Sequence, residues 1–222
     1  MSLRNPYQIP LKLAYTRDVM FAVELVDSVT LQRLSRNIQV DAEGLTRAPI
    51  LNSSDIFVWL KEDFDQLKRL LIKPGMRPYE PVELEPNQIS RPLTKISLAP
   101  RADYLFPSGI TGLRGRLIES RFGTPTPVSD ANVLLQWKGE DGVWRNGKTL
   151  TRTVPNSGDF VSFLRFGPMD EPETATSMIT VRLQAKRSFS NRRSDSFQLH
   201  SGRITNPSTE NQLVFAWDDL QL

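Results

Sequence analysis

Apolar side chains recur at every second position in several short runs, the spacing of half-buried β-strands. In a first run over 19–26, Phe21, Val23 and Leu25 share one face, with Ala22 and Glu24 on the other. Ile38-Gln39-Val40 and a run over 56–60 follow, the second opened by the turn cluster Asn52-Ser53-Ser54-Asp55. Thr94, Ile96 and Leu98 alternate again. So do residues over 110–118, then Ile179, Val181, Leu183 and Ala185, then Phe197 with Leu199, then Leu213, Phe215 and Trp217. Residues 62–73 fit a short helix or a strand by period alone; the following Pro74-Gly75 favours a loop with a strand from Leu70. Residues 79–85 alternate as an edge strand carrying Pro81. The pattern predicts an all-β chain.

The stretch 127–166 carries the strongest turn chemistry. Val133, Leu135 and Trp137 face one way, and Gly139 to Gly142 read as a four-residue hairpin loop that sets Trp137 opposite Trp144. Pro155-Asn156-Ser157-Gly158 ends this region, and a new strand over 159–166 follows. Phe160 and Phe166 lie on one of its faces, Val161 and Phe163 on the other, as in a strand buried between layers.

Pro127-Val128-Ser129-Asp130-Ala131-Asn132-Val133, followed by Asn156-Ser157-Gly158-Asp159-Phe160-Val161-Ser162-Phe163, resembles the carboxypeptidase regulatory-like family. The resemblance implies a transthyretin-like β-sandwich related to the collagen-adhesin B-type repeats. The chain departs from the family pattern in placing Asp130 where glycine is usual. Collagen-adhesin repeats often carry an internal Lys–Asn isopeptide bond; the first strands here, around Phe21 and Leu113, hold no lysine in the expected place.

The order of runs repeats. Phe57-Val58-Trp59 answers Phe160-Val161-Ser162, and the run at Phe21 answers that at Leu113, although Ser54-Asp55 stands where the family has glycine. The reading is two tandem Ig-like, transthyretin-like β-sandwich domains with extended terminal arms. Residues 1–15 form an arm broken by Pro6 and Pro10, 16–98 the first domain, 99–109 a linker, and 110–222 the second domain with a C-terminal tail. The linker is stiffened by Pro100 and Pro107, and Tyr104, Leu105 and Phe106 are too apolar for a free tether, so they are expected to wedge between the sandwiches.

Composition narrows the function. Hydrophobic residues are 39% and charged residues 24% of the 222, as in a globular chain. A net charge of +3 without a basic stripe does not point to nucleic acid. With no cysteine, disulfides and thiolate metal sites are excluded. The N-terminal stretch lacks the apolar core of a signal peptide, so cytoplasmic synthesis is expected with the final location open, and no run is long enough to span a membrane. His200 is the single histidine, beside a turn, and the pairs Glu140/Asp141, Asp170/Glu171 and Asp218/Asp219 are adjacent rather than convergent. No catalytic residue, cofactor or metal site is therefore expected.

The expected role is that of a non-enzymatic structural or adaptor subunit contacting other protein subunits. Similar tandem modules stand beside bacterial secretion machines and phage-tail-like contractile particles. The alternative is an accessory module for carbohydrate or peptide. Candidate contact residues are Trp144 on its hairpin, Arg187, Phe189, Arg192 and Arg193 in a basic loop over 186–193, and Tyr7, Leu220 and Leu222 in the two arms.

Overall fold

The structure is a computed structural model that describes residues 18–60, 64–167, 170, 172, 174–175, 177–206 and 213–222. Nearly all regular structure in it is strand. Helix among the described residues is limited to three single turns, Phe64–Gln66, Pro86–Gln88 and Trp217–Asp219, and no helix is long and apolar enough to cross a membrane.

The N-terminal half contains β1 (Val19–Asp27), β2 (Gln39–Glu43), β3 (Ile50–Leu51), β4 (Phe57–Leu60), β5 (Arg69–Lys73), β6 (Val82–Leu84) and β7 (Leu93–Leu98). They form a sheet in the order β3-β4-β1-β7 and a second in the order β2-β5-β6. Phe21, Val23, Leu25, Phe57 and Trp59 from the first sheet share one buried cluster with Val40, Leu70 and Ile72 from the second. Phe21 pairs with Trp59 across β1 and β4, and their rings stack with centroids 4.5 Å apart. Residues 64–66 make only a single turn before β5, so the strand over the ambiguous stretch begins at Arg69; residues 62–63 lie outside the described set. The expected strand over 79–85 shortens to β6. Tyr79 is buried in the core rather than standing on an edge.

The C-terminal half contains β8 (Thr111–Ile118), β9 (Asn132–Lys138), β10 (Trp144–Asn146), β11 (Thr151–Arg152), β12 (Asp159–Leu164), β13 (Thr174–Ala175), β14 (Met178–Arg187), β15 (Ser190–Arg193), β16 (Phe197–His200), β17 (Ile204–Thr205) and β18 (Val214–Ala216). One sheet is centred on β9 and β14, with β10, β11, β13, β15 and β16 at its margins. The other is β12-β8-β17, with β18 also on β8. Alternation along β14 puts Ile179, Val181, Leu183 and Ala185 in a second buried cluster with Leu113, Leu117, Val133, Leu135 and Phe160. Buried Ser162 ties the layers together, its hydroxyl accepting from the Leu135 amide at 3.1 Å.

The same pairing recurs in both halves. The first strand, β1 or β8, is antiparallel to the aromatic strand, β4 or β12. It is parallel to the last, β7 or β18.

The halves meet at the C-terminal end of β1. The Tyr104 hydroxyl donates to Asp27 Oδ2 at 2.6 Å, and Arg165 donates to the Ser28 carbonyl at 3.1 Å. Arg114 donates to the carbonyls of Ala102 and Tyr104. Phe106 packs between Tyr104 and Phe163, so β12 buries Phe160 in one cluster and Phe163 in the other. The wedge expected of residues 104–106 therefore holds for two of the three. Leu105 points outward and is 87% exposed, because its neighbours on either side face in.

Candidate functional site

The hairpin after β9 closes one residue tighter than the turn chemistry predicts. Trp144 pairs with Lys138, and Trp137 pairs with Arg145. The expected Trp137–Trp144 pair is thus replaced, because a one-residue change of register sends adjacent side chains to opposite faces. Trp137 is buried, edge-on to Phe166 at 5.2 Å. Trp144 lies half-buried on the outer face with the Arg182 guanidinium 4.3 Å above its ring. Arg182 Nε donates to Gln136 Oε1 at 2.6 Å, and Gln136 Nε2 donates to Asn146 Oδ1 at 2.6 Å. Desolvation, then the charge of Arg193, lowers the Arg182 pKa from its ordinary value.

Residues 186–193 are a β-hairpin rather than a loop. Arg187 pairs with Ser190 across a two-residue turn, with Ser188 at φ 50° as a primed turn requires of its first central residue. Phe189 at the tip is fully exposed. Arg187 holds Glu119 at 2.5 Å, and Arg192 donates to the Trp217 carbonyl at 2.7 Å with its guanidinium over the Trp217 ring. Arg193 exchanges backbone hydrogen bonds with Gln221, at 2.7 and 2.8 Å. These contacts fasten the C-terminal tail to its own half. The expectation that residues 217–222 form a free arm is corrected: Trp217 and Leu220 are buried in the second cluster, and Leu222 alone of the apolar tail residues is exposed. Tyr7 and the expected N-terminal arm lie outside the described residues.

The tail and the β15–β16 edge frame a groove that no sequence motif announces. It measures about 440 Å³ and lies between β16 and β18, where the two sheets of the C-terminal half part. Phe197 and Phe215, with ring centroids 5.7 Å apart, floor it together with Leu199, Leu213 and Leu220. Asp195, Asp219 and Arg121 stand at its rim, Arg121 being held by Asp219 at 2.6 Å. Among the described residues β16 pairs only with β14, and β18 only with β8, so the other backbone edge of each has no described partner. The opposite margin is closed: the Thr151 hydroxyl donates to carbonyls of both sheets, at Val133 and Val161. The alternation of Phe197 and Leu199 and of Leu213 and Phe215 was the available signal. It locates strands, but not the gap between two of them.

His200 is exposed at the end of β16. Among the described residues no cluster of three or more His, Asp or Glu side chains could hold a metal ion. Asp141 is engaged by Arg145 through two hydrogen bonds of 2.8 and 2.7 Å, which with the Val143 amide hold its pKa down at about 2. Comparison with known proteins finds no matching family model, no matching curated protein and no matching solved structure.

Proposed function

We propose that the chain is a non-enzymatic structural or adaptor subunit of a multiprotein assembly. It would be built from two tandem Ig-like, transthyretin-like sandwiches over 16–98 and 110–222. The observation that carries this reading is the junction. The linker over 99–109 is spent on packing, with Tyr104 on buried Asp27 and Phe106 between two aromatic contacts, so the halves are braced as a single strut. A strut suits a part that transmits position, whereas a tethered binding module has a free linker.

The kinship with carboxypeptidase regulatory-like modules is supported by backbone geometry. Asp130, standing in a glycine place of the pattern, takes φ 56°. Asp55, at the place matched by Gly158, takes φ 60° against 70° for Gly158. The left-handed conformation that makes glycine usual is kept at Asp130 and, at the place of Gly158, in both halves.

Limited proteolysis of the purified chain, with sizing of the native complex, tests the reading. Residues 1–17 should be cut before the linker, and the chain should elute from its native host in a large complex. Protection of residues 1–17 in the monomer, or turnover abolished by replacing His200 alone, would count against it. The second reading, a carbohydrate- or peptide-binding accessory, draws on the outer-face ladder of Asn146, Gln136, Arg182 and Trp144. It requires polysaccharide binding that Trp144→Ala removes.

A further inference from the structure

We propose that the groove between β16 and β18 receives residues 9–15 of a second copy of this chain as an added β-strand. The inference rests on the assembly reading and names one of its contacts. Ile9, Leu11, Leu13 and Tyr15 fall at every second position, with Pro10, Lys12 and Ala14 between them. Extended, the segment shows four apolar side chains on one face, matching a floor of Phe197, Leu199, Leu213, Phe215 and Leu220. The edges of β16 and β18 that are unpaired among the described residues supply backbone partners, the requirement for strand addition. Pro10 lacks a donor, but it lies near the start of the segment, where a strand tolerates proline.

Charge agrees. Residues 1–17 contain Arg4, Lys12 and Arg17 and no acidic side chain. The groove lining carries Asp195, Asp219 and Arg121, and because Arg121 and Asp219 pair with each other the net charge left to meet the segment is that of Asp195.

Tether length decides between the chain's own segment and a neighbour's. β1 runs from Val19 to Asp27, and the junction with the C-terminal half lies at its Asp27 end. Asp18 is therefore about 30 Å along the strand from the junction at ~3.3 Å per residue, and every residue lining the groove belongs to the half on the other side of that junction. Tyr15 is tethered within about 10 Å of Asp18 and Leu13 within about 17 Å. A strand over 9–15 has to start within that reach of Asp18, at the end of β1 remote from the junction, whereas the groove is lined wholly by the other half, which favours a neighbour's segment. Each copy then gives a strand at one end and receives one at the other, a head-to-tail contact that closes into a ring or extends as a filament.

The chain has no cysteine, so introduced thiols are unambiguous. Full-length Ala14→Cys and Ser196→Cys chains, mixed and treated with a short bis-maleimide, should give a covalent dimer. Its yield should be at least tenfold above that of Ala14→Cys mixed with Met76→Cys, a fully exposed control position in the N-terminal half. A synthetic peptide of residues 7–17 in excess should suppress the product. A yield no higher than the control overturns the proposal. So does a link formed within single chains of an Ala14→Cys/Ser196→Cys double variant at high dilution. If the dimer fails while the unmodified chain still elutes from its host in a large complex, the groove assignment falls and the assembly reading stands. If the dimer forms and no larger complex exists, the reverse holds.

Discussion

At the residue scale, two of the left-handed positions, Gly158 and Asp130, show how the turns are set. Gly158, at φ 70°, has room for no side chain: an added Cβ would lie 2.2 Å from the Leu117 carbonyl oxygen. Gly158→Ala is expected to destabilise by at least about 2 kcal/mol, read from the urea midpoint at constant slope. Asp130 holds φ 56° on an exposed turn, which a short polar side chain tolerates and a β-branched one does not. Asp130→Gly should be neutral or stabilising by up to ~1 kcal/mol, and Asp130→Val should cost more than ~1 kcal/mol in the same assay. That Asp130 stands where the resembled pattern has glycine was legible in the sequence. Its tolerance is explained by the φ angle that both residue types reach.

At the element scale, the C-terminal tail behaves as an extra edge segment. Leu220 is buried in the second cluster, and Gln221 forms two backbone hydrogen bonds with Arg193. Removing residues 220–222 should cost about 3–4 kcal/mol, the sum of one buried leucine and two hydrogen bonds. Leu222→Ala, at a position 90% exposed, should change stability by less than ~0.5 kcal/mol. Thermal or urea unfolding of the two variants separates a folded tail from a free arm. The basic hairpin follows the same logic: Arg187 and Arg192 hold Glu119 and the Trp217 carbonyl, contacts between parts far apart in sequence.

At the scale of the whole molecule, the junction makes stability depend on pH. Asp27 accepts from the Val29 amide, the Thr30 hydroxyl and the Tyr104 hydroxyl, and is 3% exposed. Burial, then the neighbouring Asp27 carboxylate, pushes the Tyr79 hydroxyl up to about 12. The same two causes raise Tyr104 well above the ordinary tyrosine value. In the unfolded chain both ionise near pH 10, so above that pH the unfolded state binds fewer protons than the folded one. The Tyr79 contribution is therefore complete below about pH 10 and is lost as pH rises through about 12, and the Tyr104 contribution declines over the same range and beyond it. Tyr104→Phe should cost about 1–3 kcal/mol at pH 7, from a hydrogen bond to a charged group, and should flatten the alkaline decline. Urea titrations at pH 8 to 12 check both. Phe106→Ala removes the ring between Tyr104 and Phe163 and is expected to split a single unfolding transition into two, visible by calorimetry.

Period-2 alternation by itself determined the all-β class, most strand positions and the inward faces of β1, β9 and β14, because burial of one strand face is a local property of the sequence. The composition of the linker marked Tyr104, Leu105 and Phe106 as too apolar for a free tether, and of these Leu105 is exposed. What only the tertiary structure decided were relations between segments distant in sequence. These include the register that parts Trp137 from Trp144, the fastening of Trp217 and Gln221 by Arg192 and Arg193, and the groove between β16 and β18. Strand pairing across long separations depends on which edges come together in space, and a single chain's alternation is the same whichever neighbour a strand takes.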